Sequence, residues 1–545
     1  MLHKLLLSIH PIKMAIITGS LLLSFVLIVL NNSGVFPLAL GDFIFFSGII
    51  VLFALYRPGW AFLFFISTLP FEIVNIAPVE MTIMLRPYQW IGILTITAVA
   101  IRYAGRRLSF ALPKINRYDT ALLLVWLGSI LSIFGAPDRN VSLKQSLIFF
   151  SYIVLYALVR IFVRTVSDVK NSIALFIGSG IIVSVYALWQ NMRFANGGSA
   201  FEVMVGRPNS VFTEPDWMGA FLVVCIGAVY AILACVQPFK EQEGSLQKQG
   251  YWKVPFTGIF FRTSSFSLYV LLILFFVALI ISVSRSAWLS VAVITFATVL
   301  LVSIKEKLSE KERFQWKEGV LYATGIALAC IASILIVSVF HLTSFQLLNR
   351  AQSTASGLQR ITVACDHDVA LPENIITTDE LIRYGCRHIA LENIQNAQAE
   401  GNVIKELYRD DPNVSIRRDI YAKTLSIVRE HFVTGIGFGS SRFFLGSDER
   451  GAGLNASNMF LEVWLGSGLI GLIAFVFVWV SIGMVSIRRL LIAQKNKDLT
   501  ALYLFIFLSW IGLTIFNLFN AGLFLGFFWA WLAVAVSFVH KKINI

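Results

Sequence analysis

The sequence predicts an all-α polytopic membrane protein with about 12–14 transmembrane helices. Hydrophobic residues make up 57% of the 545 positions, charged residues only 14%, and the mean hydropathy is +0.76. Soluble domains are usually about 45–50% apolar and about 25% charged. A soluble fold of this length has too little interior to bury so much apolar surface, whereas a bilayer solvates it.

The apolar residues are grouped into runs that approach the ~20 residues a helix needs to cross a bilayer. We predict fourteen runs, at 14–30, 36–55, 59–77, 88–104, 118–135, 142–163, 170–190, 215–236, 265–283, 286–304, 318–341, 456–487, 500–518 and 521–539. Runs between 36 and 77, and those beside Arg285, nearly touch, so the number of spans is a range.

The formal net charge of +13 lies largely in short segments between the apolar runs, such as Arg106–Arg107 and Arg488–Arg489. Lys and Arg in short loops mark the cytoplasmic side of a membrane protein. The placement of the positive charges therefore predicts which loops are cytoplasmic and argues against a nucleic-acid partner. With a cytoplasmic N-terminus, fourteen spans also return the C-terminus to the cytoplasm.

One long polar segment interrupts the apolar pattern, between late helices. The chain thus divides into 1–341 with transmembrane helices 1 to about 11, a loop at 342–455, and 456–545 with the last three helices. We expect 342–455 to be a large, mostly helical extracytoplasmic subdomain, with helical stretches at Thr378–Tyr384 and 389–398.

Two cysteines, Cys365 and Cys386, lie in this loop. An oxidising compartment allows a disulfide between them, but the sequence alone leaves both states open. There is neither a CxxC nor an HExxH motif in the sequence. We therefore expect no metal site and no cofactor.

Ionisable side chains at membrane depth are costly, and are functional candidates for that reason. The first group lies at 205–219, where Arg207, Glu214 and Asp216 precede a span. Asp216 follows Pro215 at a helix start, so a capping role is the alternative for it. The second group is 282–288, in which Arg285 stands among serines. Its alternative role is to extend its guanidinium to the interface.

The third group combines an amphipathic helix, with Arg417 and Arg418, and a segment that runs from His431 through Gly-x-Gly-x-Gly. No strand precedes these glycines, so they predict a helix end and a return of the chain to the membrane rather than a dinucleotide site. The alternative for the two arginines is a solvated helix face.

The fourth group, at 455–472, opens the next span with Ser457, Asn458 and Glu462. Asn458 and Glu462 are four residues apart and share a helix face. Gly466, Gly468 and Gly471 favour close helix packing. Because guanidinium groups suit phosphate, arginines converging at one membrane face fit a lipid diphosphate head group or an anionic solute in a transport path.

In this order the four groups resemble the O-antigen ligase and polysaccharide polymerase superfamily of bacterial membrane glycosyltransferases, over roughly residues 120–540. The residues that carry the resemblance are Phe212 to Asp216; Ser284, Arg285 and Ser286; Arg417, Tyr421, Gly435, Gly437 and Gly439; and Asn458, Leu461, Glu462, Gly468, Gly471 and Leu472.

The resemblance implies a metal-independent enzyme that uses a glycan on undecaprenyl diphosphate, at the outer face of the bacterial inner membrane. Its catalytic residues would be Arg285, Arg417, Glu462 and Asp216. Diphosphate would be bound by Arg207, Arg285, Arg417 and Arg418. The substrate would further contact Glu214, Asn458, Ser457 and His431. A chain-length regulator or a flippase would be a further partner.

Ligases of this family commonly have His where this sequence has Ser457, and serine is no base near neutral pH. The sequence therefore favours a polymerase that joins lipid-linked repeat units. The alternatives are a ligase acting on lipid A core or protein, and a transporter or flippase for an anionic lipid or solute. A membrane scaffold without chemistry is a further reading.

Overall fold

The apolar runs form helices. The computed structural model describes residues 11–81, 83–198, 201–204, 206–235, 265–305, 316–343, 358–376, 378–389, 394–410, 412–447, 453–493 and 496–540. Within these ranges each of the fourteen runs overlaps a helix. The helices are α1 (Pro11–Asn32), α2 (Leu40–Tyr56), α3 (Pro58–Ser67), α4 (Pro87–Ala104), α5 (Arg117–Ser132), α6 (Arg139–Phe162), α7 (Val166–Ala195), α8 (Pro215–Leu233), α9 (Ser265–Ile281), α10 (Arg285–Lys305), α11 (Trp316–Val339), α15 (Met459–Ile492), α16 (Lys497–Asn517) and α17 (Gly526–Val539).

By length and composition, eight helices in the described ranges are able to cross a membrane, and five further apolar helices are shorter. The predicted class, an all-α polytopic membrane protein, is confirmed. One run differs in detail, because α3 ends at Ser67 and the run predicted to reach 77 continues as an irregular segment. Pro70 has no backbone N–H to donate, which explains the early stop.

In its described part the long loop contains a sheet as well as helices, so the prediction of a mostly helical subdomain missed these strands. Four strands, β1 (Leu358–Cys365), β2 (Asn374–Ile375), β3 (Cys386–Ile389) and β4 (Val403–Asp410), form a sheet in the order β2-β4-β1-β3. The stretch at 389–398 instead contains the end of β3 and the short helix α12 (Ile394–Ala399), with 390–393 outside the described residues. Thr378–Tyr384 is a 3-10 helix, as its sequence suggested.

The sheet forms because apolar and β-branched residues alternate along β1. Ile361, Val363 and Cys365 point into one small core with Leu381 and Leu407. Cys365 and Cys386, which the sequence left open, are bonded to each other and join β1 to β3 at directly paired positions.

Helices α13 (Pro412–Glu430) and α14 (Ser441–Leu445) lead from the sheet back to the bundle. Helix α15 then begins at Met459 and is interrupted at Gly468, whose φ of 66° is not helical. We call the loop end of the bundle the end where α5 stops and α8, α10, α15 and α17 begin. There the Ser132 hydroxyl donates to the Thr434 carbonyl, and the Ile73 amide donates to the Val211 carbonyl at 3.0 Å.

Candidate functional site

The polar groups from distant parts of the chain meet around the turn at 517–522, between α16 and α17. The Leu518 carbonyl oxygen accepts from the Tyr421 hydroxyl at 2.9 Å and from the Asn458 amide at 3.2 Å. Tyr421 also lies 3.2 Å from the Ser457 carbonyl oxygen. Burial raises the pKa of the Tyr421 phenol, against an opposing effect of Arg417, so the hydroxyl remains a donor. The third and fourth groups are thus tied to one turn.

The next residues of the same turn contact both sides of the site. The Arg417 guanidinium lies over the Phe519 ring, 5.9 Å from its centroid, within the range of a cation–π contact. The Asn520 amide donates to the Ser286 hydroxyl at 2.8 Å. The turn therefore joins α13 on one side to the start of α10 on the other.

A chain of polar contacts continues from Ser286 to the first group. The hydroxyls of Ser286 and Ser284 are 3.5 Å apart, and Ser284 donates to Asp216 at 2.6 Å. The other carboxylate oxygen of Asp216 is 3.4 Å from the Arg207 guanidinium. Arg207 also donates to the Ser282 carbonyl oxygen at 3.1 Å. Asp216 thereby lies between an arginine and a hydroxyl at the start of α8.

The two helix starts place the remaining residues of these groups. Glu214 is the N-cap residue of α8, and Asp216 is in the first turn of that helix. Arg285 is the first residue of α10 and is half-buried. Because the first N–H groups of each helix carry partial positive charge, α8 and α10 both favour an anion at this end.

Glu462 and Asn458 organise the start of α15. Asn458 caps the helix, because its side-chain oxygen accepts from the amides of Phe460 and Leu461 at 2.9 and 3.2 Å. The buried Glu462 carboxylate accepts from the Ala456 amide at 3.0 Å. Ser457 between them has φ of 50°, so the backbone turns sharply there. Glu462 therefore fixes the loop that presents Ser457.

Two predicted residues have other neighbours. The Arg418 side chain is 81% exposed and lies 3.9 Å from Asp419. The His431 ring contacts Phe444, with centroids 6.4 Å apart. Neither contact involves the turn at 517–522, in contrast to Arg417 and Asn458.

The Gly-x-Gly-x-Gly segment crosses α15 at its interruption. The amides of Ile436 and Gly437 donate to the Leu465 carbonyl oxygen at 2.7 and 3.1 Å, and the Leu469 amide donates to the Val433 carbonyl oxygen at 3.0 Å. Gly435, Gly437 and Gly439 all have positive φ, as the sharp path requires. The segment fixes the end of α13, and with it Arg417 and Tyr421, to the membrane bundle.

The sequence did not reveal a buried network of hydrogen bonds that holds the residues just after the turn at 517–522. Glu72 forms an ion pair with Arg86 at 2.7 Å and accepts from the Gly526 amide, the first of α17, at 3.0 Å. Tyr88 donates to the same carboxylate at 3.0 Å. Tyr152 donates to the Phe524 carbonyl oxygen at 2.6 Å. Glu72 and Arg86 are ionisable residues in a mostly apolar stretch, and this feature of the sequence could have indicated a buried ion pair.

Asn520 and Phe519 were also missed, although Asn520 is a polar residue between two apolar runs. Within the described ranges, no three His, Cys, Asp or Glu side chains come together as a metal-binding cluster would require.

Comparison with known families bears on this site. Residues 270–476 match the family described as O-antigen ligase. The match supports the O-antigen ligase superfamily for this region. It extends from α9 into α15 and includes Arg285, Arg417, Asn458 and Glu462, so the resemblance read from the sequence is confirmed there. A comparison with curated proteins finds no match to the chain.

The ligase domain supports a membrane enzyme of the glycosyltransferase type. Its matched region leaves out Arg207, Asp216 and the turn at 517–522. These residues belong to the candidate site on the strength of their contacts with Ser284, Ser286 and Tyr421.

Proposed function

We propose that the protein polymerises polysaccharide repeat units carried on undecaprenyl diphosphate, at the outer face of the bacterial inner membrane. The observation that carries the proposal is the convergence of the four polar groups on the turn at 517–522, in a chain with an O-antigen ligase domain. Isolated charges at separate helix ends would not form a substrate site.

Three arginines, Arg207, Arg285 and Arg417, suit the diphosphate of the donor. Each belongs to a segment that contacts the turn or the chain of hydrogen bonds leading from it. Guanidinium groups bind phosphate oxygens in a bidentate manner, and the starts of α8 and α10 add partial positive charge. Arg418 is a weaker candidate for the same role, because its side chain is directed into solvent.

In the proposed reaction, a hydroxyl of the acceptor glycan attacks the anomeric carbon of the donor. The new glycosidic C–O bond forms as the bond to the diphosphate oxygen breaks, and undecaprenyl diphosphate leaves with the bonding electrons. The arginines stabilise the negative charge that builds on the leaving group. The acceptor hydroxyl proton passes to a carboxylate.

Asp216 is the carboxylate we favour as that base. Its side chain is 27% exposed and accepts a hydrogen bond from the Ser284 hydroxyl. An acceptor hydroxyl could donate to the same carboxylate in the same way. Glu462 is buried and occupied by the Ala456 amide, which suits a positioning residue. A general base must lie within hydrogen-bond reach of the proton it takes.

The second candidate function is a ligase that transfers the glycan to lipid A core or protein. The family description, O-antigen ligase, favours it. Serine at position 457 favours the polymerase, because a ligase mechanism that needs a histidine there has no base at this position. A chain-length regulator or a flippase remains the expected protein partner.

The outer face is proposed for two reasons. Arg106–Arg107, between α4 and α5, and Arg488–Arg489, near the end of α15, lie at the end opposite the loop end, as the topology rule expects for the cytoplasm. The bond between Cys365 and Cys386 suits an oxidising compartment.

The experiment is a reaction of the purified protein in liposomes with lipid-linked repeat units. A polymerase gives a ladder of chain lengths and free undecaprenyl diphosphate. A single transfer to a different acceptor supports the ligase instead. If an intact preparation consumes no donor but moves lipid or solute across the bilayer, the transporter reading replaces both.

A further inference from the structure

The segment at 431–445 belongs to the polar loop by sequence, yet four of its exposed side chains are large and apolar. Phe432, Val433, Phe443 and Phe444 are all exposed, Val433 by 61%. These residues follow α13 and include α14, and none belongs to a helix that crosses the membrane. Large apolar side chains exposed close together on a protein mark a surface that contacts a partner or a membrane.

The helices that contact this segment indicate its depth. Val433 is hydrogen-bonded to Leu469 in α15, and Arg488 near the end of that helix marks the basic, opposite interface. The helical distance from Arg488 to Leu469 is roughly 28 Å at about 1.5 Å per residue. The hydrocarbon core of a bilayer is about 30 Å thick. Val433 is therefore level with the far edge of the hydrocarbon core.

Helix α6 gives an independent measure. Gly437 packs so closely against Ser142 that a Cβ on this glycine would collide with the serine side chain. Ser142 is separated from Arg160, at the opposite end of α6, by roughly 27 Å at about 1.5 Å per residue. The two helices place 433–437 at the same depth.

The apolar surface of the segment is also continuous with surfaces that must face lipid. Exposed apolar residues run along α5 and the 3-10 turn after it as far as Phe134, which is 74% exposed, and along α15 as far as Ile470 and Ile473. The segment lies between these two stripes, because Thr434 contacts Ser132 of α5 and Val433 contacts Leu469 of α15.

The polar atoms of the segment are arranged as at a membrane interface. The Trp464 indole donates to the Phe432 carbonyl oxygen at 2.9 Å, and the two rings are in edge-to-face contact. The Arg442 guanidinium lies 4.8 Å from the Phe443 ring centroid. Tryptophan is enriched where acyl chains meet head groups. An arginine at that level can keep its stem in the apolar layer and its charge in the polar one.

We propose that residues 431–445 form an interfacial element whose exposed aromatic and aliphatic side chains are immersed in the acyl chains of the leaflet at the loop end. Its partner is the lipid bilayer itself. The element sets the depth of α13, since it directly follows that helix and is hydrogen-bonded to α15. Arg417 and Tyr421 are thereby held at head-group level. The inference does not depend on the proposed reaction.

The test uses full-length protein in vesicles, with Cys225, Cys235 and Cys330 replaced by alanine and the Cys365–Cys386 bond retained. Val433→Cys and Phe443→Cys are each labelled with an environment-sensitive nitrobenzoxadiazole dye. Ile473→Cys, on the lipid-facing stripe of α15, is the positive control, and Ser426→Cys, on the exposed side of α13, is the aqueous control.

We expect lipids with a nitroxide high on the acyl chain to quench the dye at 433 and 443 several-fold more than at 426. Iodide in the water should show the reverse order. Equal iodide quenching at 433, 443 and 426 would overturn the proposal. Protection of 433 and 443 from both quenchers would also overturn it, because a protein surface would then cover the segment.

Discussion

Adjacent arginines on α13 have different surroundings, which gives a matched comparison. Arg417 lies over Phe519, whereas Arg418 points into solvent. We expect Arg417→Ala to lower donor turnover about a hundredfold, as loss of one transition-state contact does. Arg418→Ala should change turnover little at moderate salt, since exposed charges are screened. Rates of undecaprenyl diphosphate release measure both. Equal losses of turnover in the two variants would show that the contact with Phe519 does not determine which arginine contributes to catalysis.

Glu462 gives a second prediction at the scale of single residues. Its carboxylate accepts a buried backbone amide, that of Ala456, and Gln keeps an acceptor oxygen there. We expect Glu462→Ala to reduce the free energy of unfolding by about 1–3 kcal/mol, because a buried N–H loses its partner. Glu462→Gln should leave both the melting temperature in detergent and the turnover close to wild type.

If Glu462→Gln instead kept a normal melting temperature but abolished turnover, Glu462 would be a catalytic acid or base. The base would then not be Asp216 alone, and the assignment of Glu462 as a positioning residue would be wrong.

The sequence could predict charged site residues because their cost in an apolar context makes them visible. Arg207, Asp216 and Arg285 became candidate site residues in this way. The Leu518 carbonyl oxygen was not, since every residue has one and only the fold shows which of them gathers donors. Asn520 was missed because an amide between two spans looks like an ordinary loop residue.

Among the structural elements, the glycine segment allows a test of close packing. Gly437 and Gly446 have φ of 80° and 88°, so alanine is strained at either position. A Cβ at Gly437 would collide with Ser142, whereas a Cβ at Gly446 would meet nothing within 4 Å. We expect Gly446→Ala to cost about 1–3 kcal/mol of stability, because its φ of 88° and ψ of −160° lie in a region that only glycine readily adopts. Gly437→Ala should cost about 3 kcal/mol or more, because strain and overpacking add.

Thermal unfolding of the two variants measures the difference, and it should be accompanied by lower activity only in Gly437→Ala. Equal destabilisation would mean that the segment does not pack against α6 as closely as the structure has it.

The disulfide supports another element, the small sheet. Its core holds few buried side chains, and the bond closes a separation of 21 residues. Loop closure of this size contributes about 3 kcal/mol. We expect Cys365→Ala with Cys386→Ala to make β1 and the 3-10 helix at Thr378–Tyr384 sensitive to proteolysis in the full-length protein. Unchanged proteolysis would show that the apolar core is sufficient.

At this scale the helices were predictable and the sheet was not. A long apolar run can be recognised as a helix from its own residues, because the bilayer solvates apolar side chains without any need for a distant partner segment. Strand β1 pairs with β4, and Cys365 lies opposite Val403 across a long stretch of chain. Because the paired strands are so far apart in sequence, the only local signal for β1 is a weak alternation of apolar residues at Ile361, Val363 and Cys365.

At the scale of the whole molecule, the site is assembled from segments that are far apart in sequence but meet at one end of the bundle. The turn at 517–522 is held on one side by Tyr421 and Asn458 and on the other by Ser286. Glu72 and Tyr152 fix its far end through Gly526 and Phe524. The region that matches the O-antigen ligase family, 270–476, therefore includes only part of the candidate site.

The most direct test is photo-crosslinking of the purified protein in vesicles with an undecaprenyl-diphosphate glycan that carries a photoreactive group next to the diphosphate. Mass spectrometry of the peptides identifies the labelled positions. A single assembled site predicts adducts in three separate segments, near Arg207–Asp216, near Arg417–Tyr421 and within 517–522. Adducts confined to one of these segments, or located at the opposite end near Arg160 and Arg489, would contradict it.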